Sequence, residues 1–308
     1  MRKYETEIGV SLVVVPQVVG RQRELESADI TRDPPCHLYL VTETPRVSIP
    51  PSSVNISGNI ITGTARRQVE DSYDTCEFKL KCNAEGDLRW ESRYPYEDFS
   101  IVDCSDDSVI LSTSAHELVA QGSAELDEWC EHNILYIGQA FGHAGERQAF
   151  DRLRSHSTLQ RIYSEQRPDR EIWLSLCAIT DVAVISSINP RVSGLVTGEE
   201  DMEHFRKVHD SMKDQKFYRK EGVALAEAGL IKLFAPKYNI IFKDNFPDPK
   251  HVALAECLHL DLHTLVVEFQ GVYTPFSYRT DSKPHEPVHF AEYPLFVQDG
   301  RLTLLDFR

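Results

Sequence analysis

The sequence predicts an α+β fold, with a small mixed α/β module at its centre flanked by β-rich N-terminal and C-terminal regions. Three observations carry this expectation. Through residue 107 the apolar residues fall in short alternating or β-branched runs broken by Pro, Gly and Ser. From 108 to 250 such runs alternate with stretches of helical periodicity. Beyond that the strand texture returns. The expected units are therefore 1–107, 108–250 and 251–308, the last packing on the first.

Taken in order, residues 37–43, 54–63 and 76–82 read as strands, with turns at 32–35 and at Pro50-Pro51-Ser52-Ser53. Residues 109–112 read as a strand, 115–131 as helical, and the run around Tyr136 as a strand feeding a helix over 147–163. A strand over 171–179 precedes helices over 199–214 and 220–234. Pro236, which has no N–H to donate, ends the second of these helices. Residues 259–269 and 271–274 are strand-like, and Asp299-Gly300 between two apolar arms predicts a hairpin over 295–305. No internal repeat is visible.

At 308 residues, 41% hydrophobic and 26% charged, the chain can bury a substantial core. A formal net charge of −15 excludes coating of nucleic acid by bulk attraction, because phosphate binding needs local Lys and Arg. The charge is uneven. Residues 70–132 hold 17 acidic against 4 basic side chains, whereas 133–243 hold 14 against 16. Seven cysteines without a CxxC pair fit free thiols in a reducing compartment. No apolar run approaches the ~18 residues of a membrane span, so a cytoplasmic protein without membrane contact is expected.

Hydrolysis of a phosphodiester needs an activated water, a metal at the scissile phosphate and cations for the developing charge. Each need has a candidate residue. Glu227 is the carboxylate of an otherwise small and apolar helical turn, suited to a hard cation that keeps most of its waters. Arg152 and His156, four residues apart, share one helical face. Arg152 can clamp a phosphate oxygen, Arg154 can contact the backbone nearby, and His156 can position water. Tyr136, on the preceding strand, can orient that water or take its proton.

Ile134-Leu135-Tyr136-Ile137-Gly138, the Arg152/His156 face, Glu227 and Pro236-Lys237-Tyr238-Asn239 together resemble the GIY-YIG nuclease superfamily over 108–245. The resemblance implies a metal-dependent endonuclease that hydrolyses DNA in preference to RNA. It implies Mg²⁺ or Mn²⁺ on Glu227, and Tyr136, Arg152, His156, Glu227 and Asn239 as one catalytic set. The family's first tyrosine has no counterpart just upstream of Tyr136, where the sequence reads Glu125-Leu126-Asp127-Glu128-Trp129. With 109–114 as a displaced first strand, Ser112 or Thr113 would stand in its place. The alternative is therefore a degenerate module that binds nucleic acid or a partner protein without cutting.

Two further patterns are weaker. Residues 204–220 hold six basic side chains against two acidic ones, and Lys216, Arg219 and Lys220 lead into the Glu227 helix. With Arg154 and Lys237 they form the expected nucleic-acid contacts. His259, Asp261 and His263 alternate, which on a strand would put them on one face, with His285 and His289 further on. A solvated polar face explains them as well as Zn²⁺ would. The expected partners are nucleic acid and a second copy or partner subunit docked on the acidic 70–132 region.

Overall fold

Strand pairing, not chain order, organises this α+β protein, described here from a computed structural model over residues 4–27, 33–83, 86–122, 127–139, 157–188, 196–213, 220–248 and 254–295. β1 (Thr6–Gly20) and β11 (Arg170–Ile188) pair antiparallel almost end to end, from Thr6↔Ile188 to Gly20↔Leu174. Ile8, Val10, Leu12 and Val14 alternate along β1 into the core. Pro16 cannot donate to the ladder, and it sits where the register slips between Pro16 and Val18.

Around this pair a seven-stranded sheet runs in the order β13, β10, β2, β11, β1, β12, β14. Its other members are β2 (Leu38–Pro45), β10 (Glu131–Gln139), β12 (Thr264–Gln270), β13 (Ser277–Arg279) and β14 (Val288–Pro294). β12 lies parallel to β1, so the two chain ends meet in one sheet. The sheet also crosses the boundaries expected at 107 and 250, since β1, β2, β12, β13 and β14 are its strands alongside β10 and β11. Alternation identifies a strand but not its neighbour, which is why those boundaries were drawn by texture.

Between β2 and β10 the chain builds two smaller sheets. One holds β3 (Val47–Ser48), β4 (Asn55–Ser57), β5 (Ile60–Val69) and β6 (Ser72–Lys81). The other holds β7 (Leu88–Ser92), β8 (Asp98–Asp103) and β9 (Val109–Ser114). Residues 109–114 thus pair with β8, at Ser100↔Ser112 and Phe99↔Thr113, and not with the Tyr136 strand. The reading of them as a displaced first strand is corrected by that pairing. After the short α1 (Gln22–Ser27), the helix expected over 115–131 is shorter, α2 spanning Ala115–Gly122.

The large sheet buries its two faces differently. One face joins the main core, covered by α5 (Lys220–Phe234) through Val223, Leu230, Ile231 and Phe234, and by Ile61, Phe99 and Ile101 of the inserted sheets. The other carries a smaller cluster that includes Tyr39, Val41, Leu135, Leu174 and Leu176, capped by Leu159 and Ile162 of α3 (Ser157–Ser164). On β10 an extra residue at Leu135 shifts the register from Ile134↔Thr42 to Tyr136↔Val41. Ile134 and Ile137 therefore join the main core, while Leu135 and Tyr136 both turn to the smaller cluster.

Helix ends follow local chemistry. α4 (Gly198–Lys213) opens on a capping box, with the Thr197 N–H donating to Glu200 at 2.7 Å and the Glu200 N–H donating to the Thr197 hydroxyl at 3.3 Å. α5 ends at Ala235, whose φ of 46° lets the chain turn before Pro236. The strand expected over 259–269 begins only at Thr264. His259 closes α6 (Ala255–His259) and Asp261 turns at φ 52°, so His259, Asp261 and His263 do not share a strand face. His263 instead reaches Glu7, Nε2 to Oε2 at 2.9 Å, in a buried pair. The expected hairpin at Asp299-Gly300 lies outside the described residues. No helix among the described residues is long and apolar enough to cross a membrane.

Candidate active site

The strand beside Tyr136 supplies a second tyrosine. β2 pairs antiparallel with β10, setting Tyr39 opposite Gly138 and Val41 opposite Tyr136. The Tyr39 and Tyr136 rings lie on the same face with centroids 6.1 Å apart and planes tilted by 36°. Gly138 makes room for both, because a Cβ there would sit 2.5 Å from the Tyr39 oxygen and 2.8 Å from Tyr136 Cε1. Tyr39 is buried and Tyr136 half-buried. Sequence reasoning missed Tyr39 because two whole sheets separate it from Tyr136. The available signal was texture, since Leu38-Tyr39-Leu40 has the same aliphatic–tyrosine–aliphatic form as Leu135-Tyr136-Ile137.

Pro236-Lys237-Tyr238-Asn239 closes against the same strand beyond the stretch Glu131–Asn133 that β13 pairs. The Asn239 amide accepts from the Ile137 N–H at 2.9 Å and donates to the Ile137 carbonyl at 2.8 Å, while the Tyr238 N–H donates to the Leu135 carbonyl at 3.0 Å. The segment thereby does for β10 what a neighbouring strand would do. Both ends of the Asn239 side chain are engaged and it is buried, so it acts as a positioning residue that fixes the strand carrying Tyr136. Asn239, expected in the catalytic set, has its side-chain amide engaged by the Ile137 backbone.

Tyr238 extends the polar edge of the site. Its hydroxyl donates to Glu165 at 2.6 Å, with Lys237 Nζ 5.0 Å and the Arg161 guanidinium 5.5 Å from its ring centre. Hydrogen bonds from Tyr238 and Arg161 hold the Glu165 carboxyl below its ordinary range. Desolvation and the hydrogen bond to Glu165 push the Tyr238 hydroxyl up. Glu165, Lys237 and Tyr238 border a cavity of about 540 Å³, lined also by Leu135, Ile162 and Lys243.

The other expected residues stand as follows. Glu227 is half-buried on α5, whose apolar side covers the face opposite the tyrosines, so the described residues do not bring it to Tyr136. Arg152, Arg154, His156, Lys216 and Arg219 lie outside the described residues, as does the Lys220 side chain. α3 begins at the residue after His156 and packs Leu159 and Ile162 on the tyrosine face. Among the described residues no three His, Cys, Asp or Glu side chains gather to hold a metal.

A second polar cluster occupies the opposite face of β10. His116 Nε2 lies 3.3 Å from His132 Nε2, His132 Nδ1 lies 2.9 Å from the Thr42 hydroxyl, and that hydroxyl donates to the Trp173 carbonyl at 3.3 Å. The order of donors makes His132 the Nδ1–H tautomer, accepting at Nε2 from His116. Burial depresses the His116 imidazole to about 3, with the Arg21 charge adding to it, and burial likewise lowers His132. Both rings are neutral near pH 7.

Comparison with protein-family models, curated proteins and solved structures finds no match to this chain.

Proposed function

We propose that the protein is a metal-dependent endonuclease of the GIY-YIG type, acting on DNA in preference to RNA, with Tyr39 as the first tyrosine of its site. The observation that carries this reading is the Tyr39–Tyr136 pair, two tyrosines on adjacent antiparallel strands facing each other over Gly138. It fills the gap the sequence left ahead of Tyr136. The Asn239 clamp on Ile137 supports it, because it explains why a closing asparagine belongs to the same motif set.

In this reading Tyr136, the more exposed ring, orients the attacking water and takes its proton, and Tyr39 holds the Tyr136 ring and the water in place. Arg152 and His156 supply positive charge and a donor at the phosphate. A single half-buried carboxylate, Glu227, suits Mg²⁺ or Mn²⁺ bound mostly through water and phosphate oxygens. Such an ion would neutralise charge on a bound phosphate, although α5 sets Glu227 on the face opposite the tyrosines.

A purified sample incubated with supercoiled plasmid, in Mg²⁺, Mn²⁺ or EDTA, tests the reading. Nicking that needs metal and is lost in Tyr136→Phe and Glu227→Ala is the expected result. Absence of nicking under every condition would overturn it. A second reading has its own support: Tyr39 is fully buried and α5 covers the opposite face, as in a module that binds nucleic acid or a partner without cutting. Binding of nucleic acid that neither cleaves nor responds to Glu227→Ala would favour that reading.

A further inference from the structure

Among the described residues, the ten-residue strand β6 pairs with β5 alone, from Val69↔Ser72 to Ile60↔Lys81. The next rung, where the Cys82 N–H donates to the Asn59 carbonyl at 2.9 Å, fixes which backbone groups that ladder uses. Bonded and unbonded pairs alternate along an antiparallel ladder. Cys76, Phe78 and Leu80 therefore bond to β5, while the N–H and C=O of Thr75, Glu77, Lys79 and Lys81 point away from it. Such an edge is a template for another strand unless its side chains forbid the pairing.

Those side chains divide by face. Cys76, Phe78 and Leu80 are half-buried against the core. The Phe78 ring covers Gly63, where a Cβ would come within 2.8 Å of it, and lies 6.1 Å from the Trp90 ring. Thr75, Glu77, Lys79 and Lys81 are exposed. Glu77 spends one carboxylate oxygen on the Thr64 hydroxyl, 2.8 Å away, and among the described residues neither lysine has an ion-pair partner. The strand's remaining charge, Asp74, is held by Arg67 at 2.5 Å.

In Cys76-Glu77-Phe78-Lys79-Leu80 apolar and charged residues alternate, and the sign of the charge inverts about Phe78. Two copies laid antiparallel with Phe78 on a twofold axis set Glu77 opposite the partner's Lys79, and Lys79 opposite the partner's Glu77. Cys76 then faces the partner's Leu80, which continues the apolar strip across the axis. The opposed charged residues are the ones whose backbone groups point outward, so the same register bonds both strands. Centring the axis on Glu77 or on Lys79 would instead oppose like charges. The charges that guard this edge against other strands thus admit a second copy in one register.

We propose that β6 is the interface of a twofold dimer, in which the β5–β6 sheets of two copies join edge to edge through β6 pairing antiparallel about Phe78. The dimer does not depend on the nuclease reading.

Sedimentation equilibrium of the full chain tests it. Wild type should form dimers by about 100 µM. Glu77→Lys and Lys79→Glu each create two like-charge pairs across the axis, and each alone should weaken the dimer by about ten-fold or more. An equimolar mixture of the two variants restores opposite charges at every rung and should associate again, as should the double variant Glu77→Lys/Lys79→Glu by itself. Both side chains are exposed, so the circular dichroism spectrum should stay that of wild type. A wild type that remains monomeric, or single variants that dimerise as wild type does, would overturn the proposal. So would a loss that neither the mixture nor the double variant recovers.

Discussion

Two polar clusters hang from the two faces of β10, and they differ in how their hydrogen-bonding capacity ends. On one face His116, His132 and Thr42 form a directed chain that terminates on the Trp173 backbone carbonyl, enclosed by Trp173, Phe276 and Tyr278. On the other, Tyr39 and Tyr136 meet over a glycine, with Tyr136 half-buried against the smaller cluster. This buried chain ends on the Trp173 backbone at one end and on a His116 Nδ1 without a hydrogen-bond partner at the other, and it ties α2 to the large sheet. The tyrosine pair joins the smaller cluster at its edge, with Tyr39 fully buried and Tyr136 half-buried. Burial alone would have ranked the histidines as the more perturbed and hence the more functional pair. The proposed function assigns the chemistry to the tyrosines instead.

The largest effect should separate the clusters by activity. Tyr136→Phe should lower plasmid cleavage by about 10²–10⁴-fold, the range for losing a positioned proton-transfer group, with an unchanged circular dichroism spectrum. His116→Phe should leave the cleavage rate alone; a comparable fall there would abolish the distinction. Next in size, Trp173→Ala removes the fully buried indole beneath the histidines and should destabilise the fold by about 3–5 kcal/mol in urea titration, with an unaltered spectrum before the transition.

A smaller change sharpens the tyrosine side. Asn239→Ala deletes two hydrogen bonds to buried backbone and should cost about 1–3 kcal/mol in the same titration. Hydrogen exchange at Ile137 should accelerate more than at β1, and uniform acceleration would mean that the clamp is not local.

The smallest effect is on pH dependence. His116 and His132 have depressed folded pKa values, so their contribution to stability is present above the unfolded value of 6.5 and is lost as pH falls towards the folded value of about 3 for His116. The melting temperature of wild type should therefore drop between pH 6.5 and pH 3, more steeply than that of His116→Phe. Parallel curves for the two proteins would place the acid lability elsewhere.

Much of the secondary structure was legible because periodicity is local. The alternation in 37–43, the apolar run in 171–179, and the helical periodicity of 199–214 and 220–234 all mark elements that exist. The 259–269 reading failed because polar alternation in His259, Asp261 and His263 imitates a strand where a short helix and a left-handed turn stand. The proposed site draws only partly on local pattern. Tyr136 and the Pro236-Lys237-Tyr238-Asn239 close could be seen as a motif, but the tyrosine that faces Tyr136 could not.

What the sequence determined by itself was which residues alternate, which helices have apolar sides, where a proline must end α5, and that a cationic stretch interrupts an acidic chain. Those properties depend on neighbours a few residues apart. Tertiary structure alone decided that β2 lies beside β10, that a one-residue bulge at Leu135 turns Tyr136 towards Tyr39, and that α5 covers the other face. Strand pairing joins residues through backbone hydrogen bonds that are the same for every side chain, so no local pattern specifies the partner. The choice is made by which arrangement buries the alternating faces of all seven strands together.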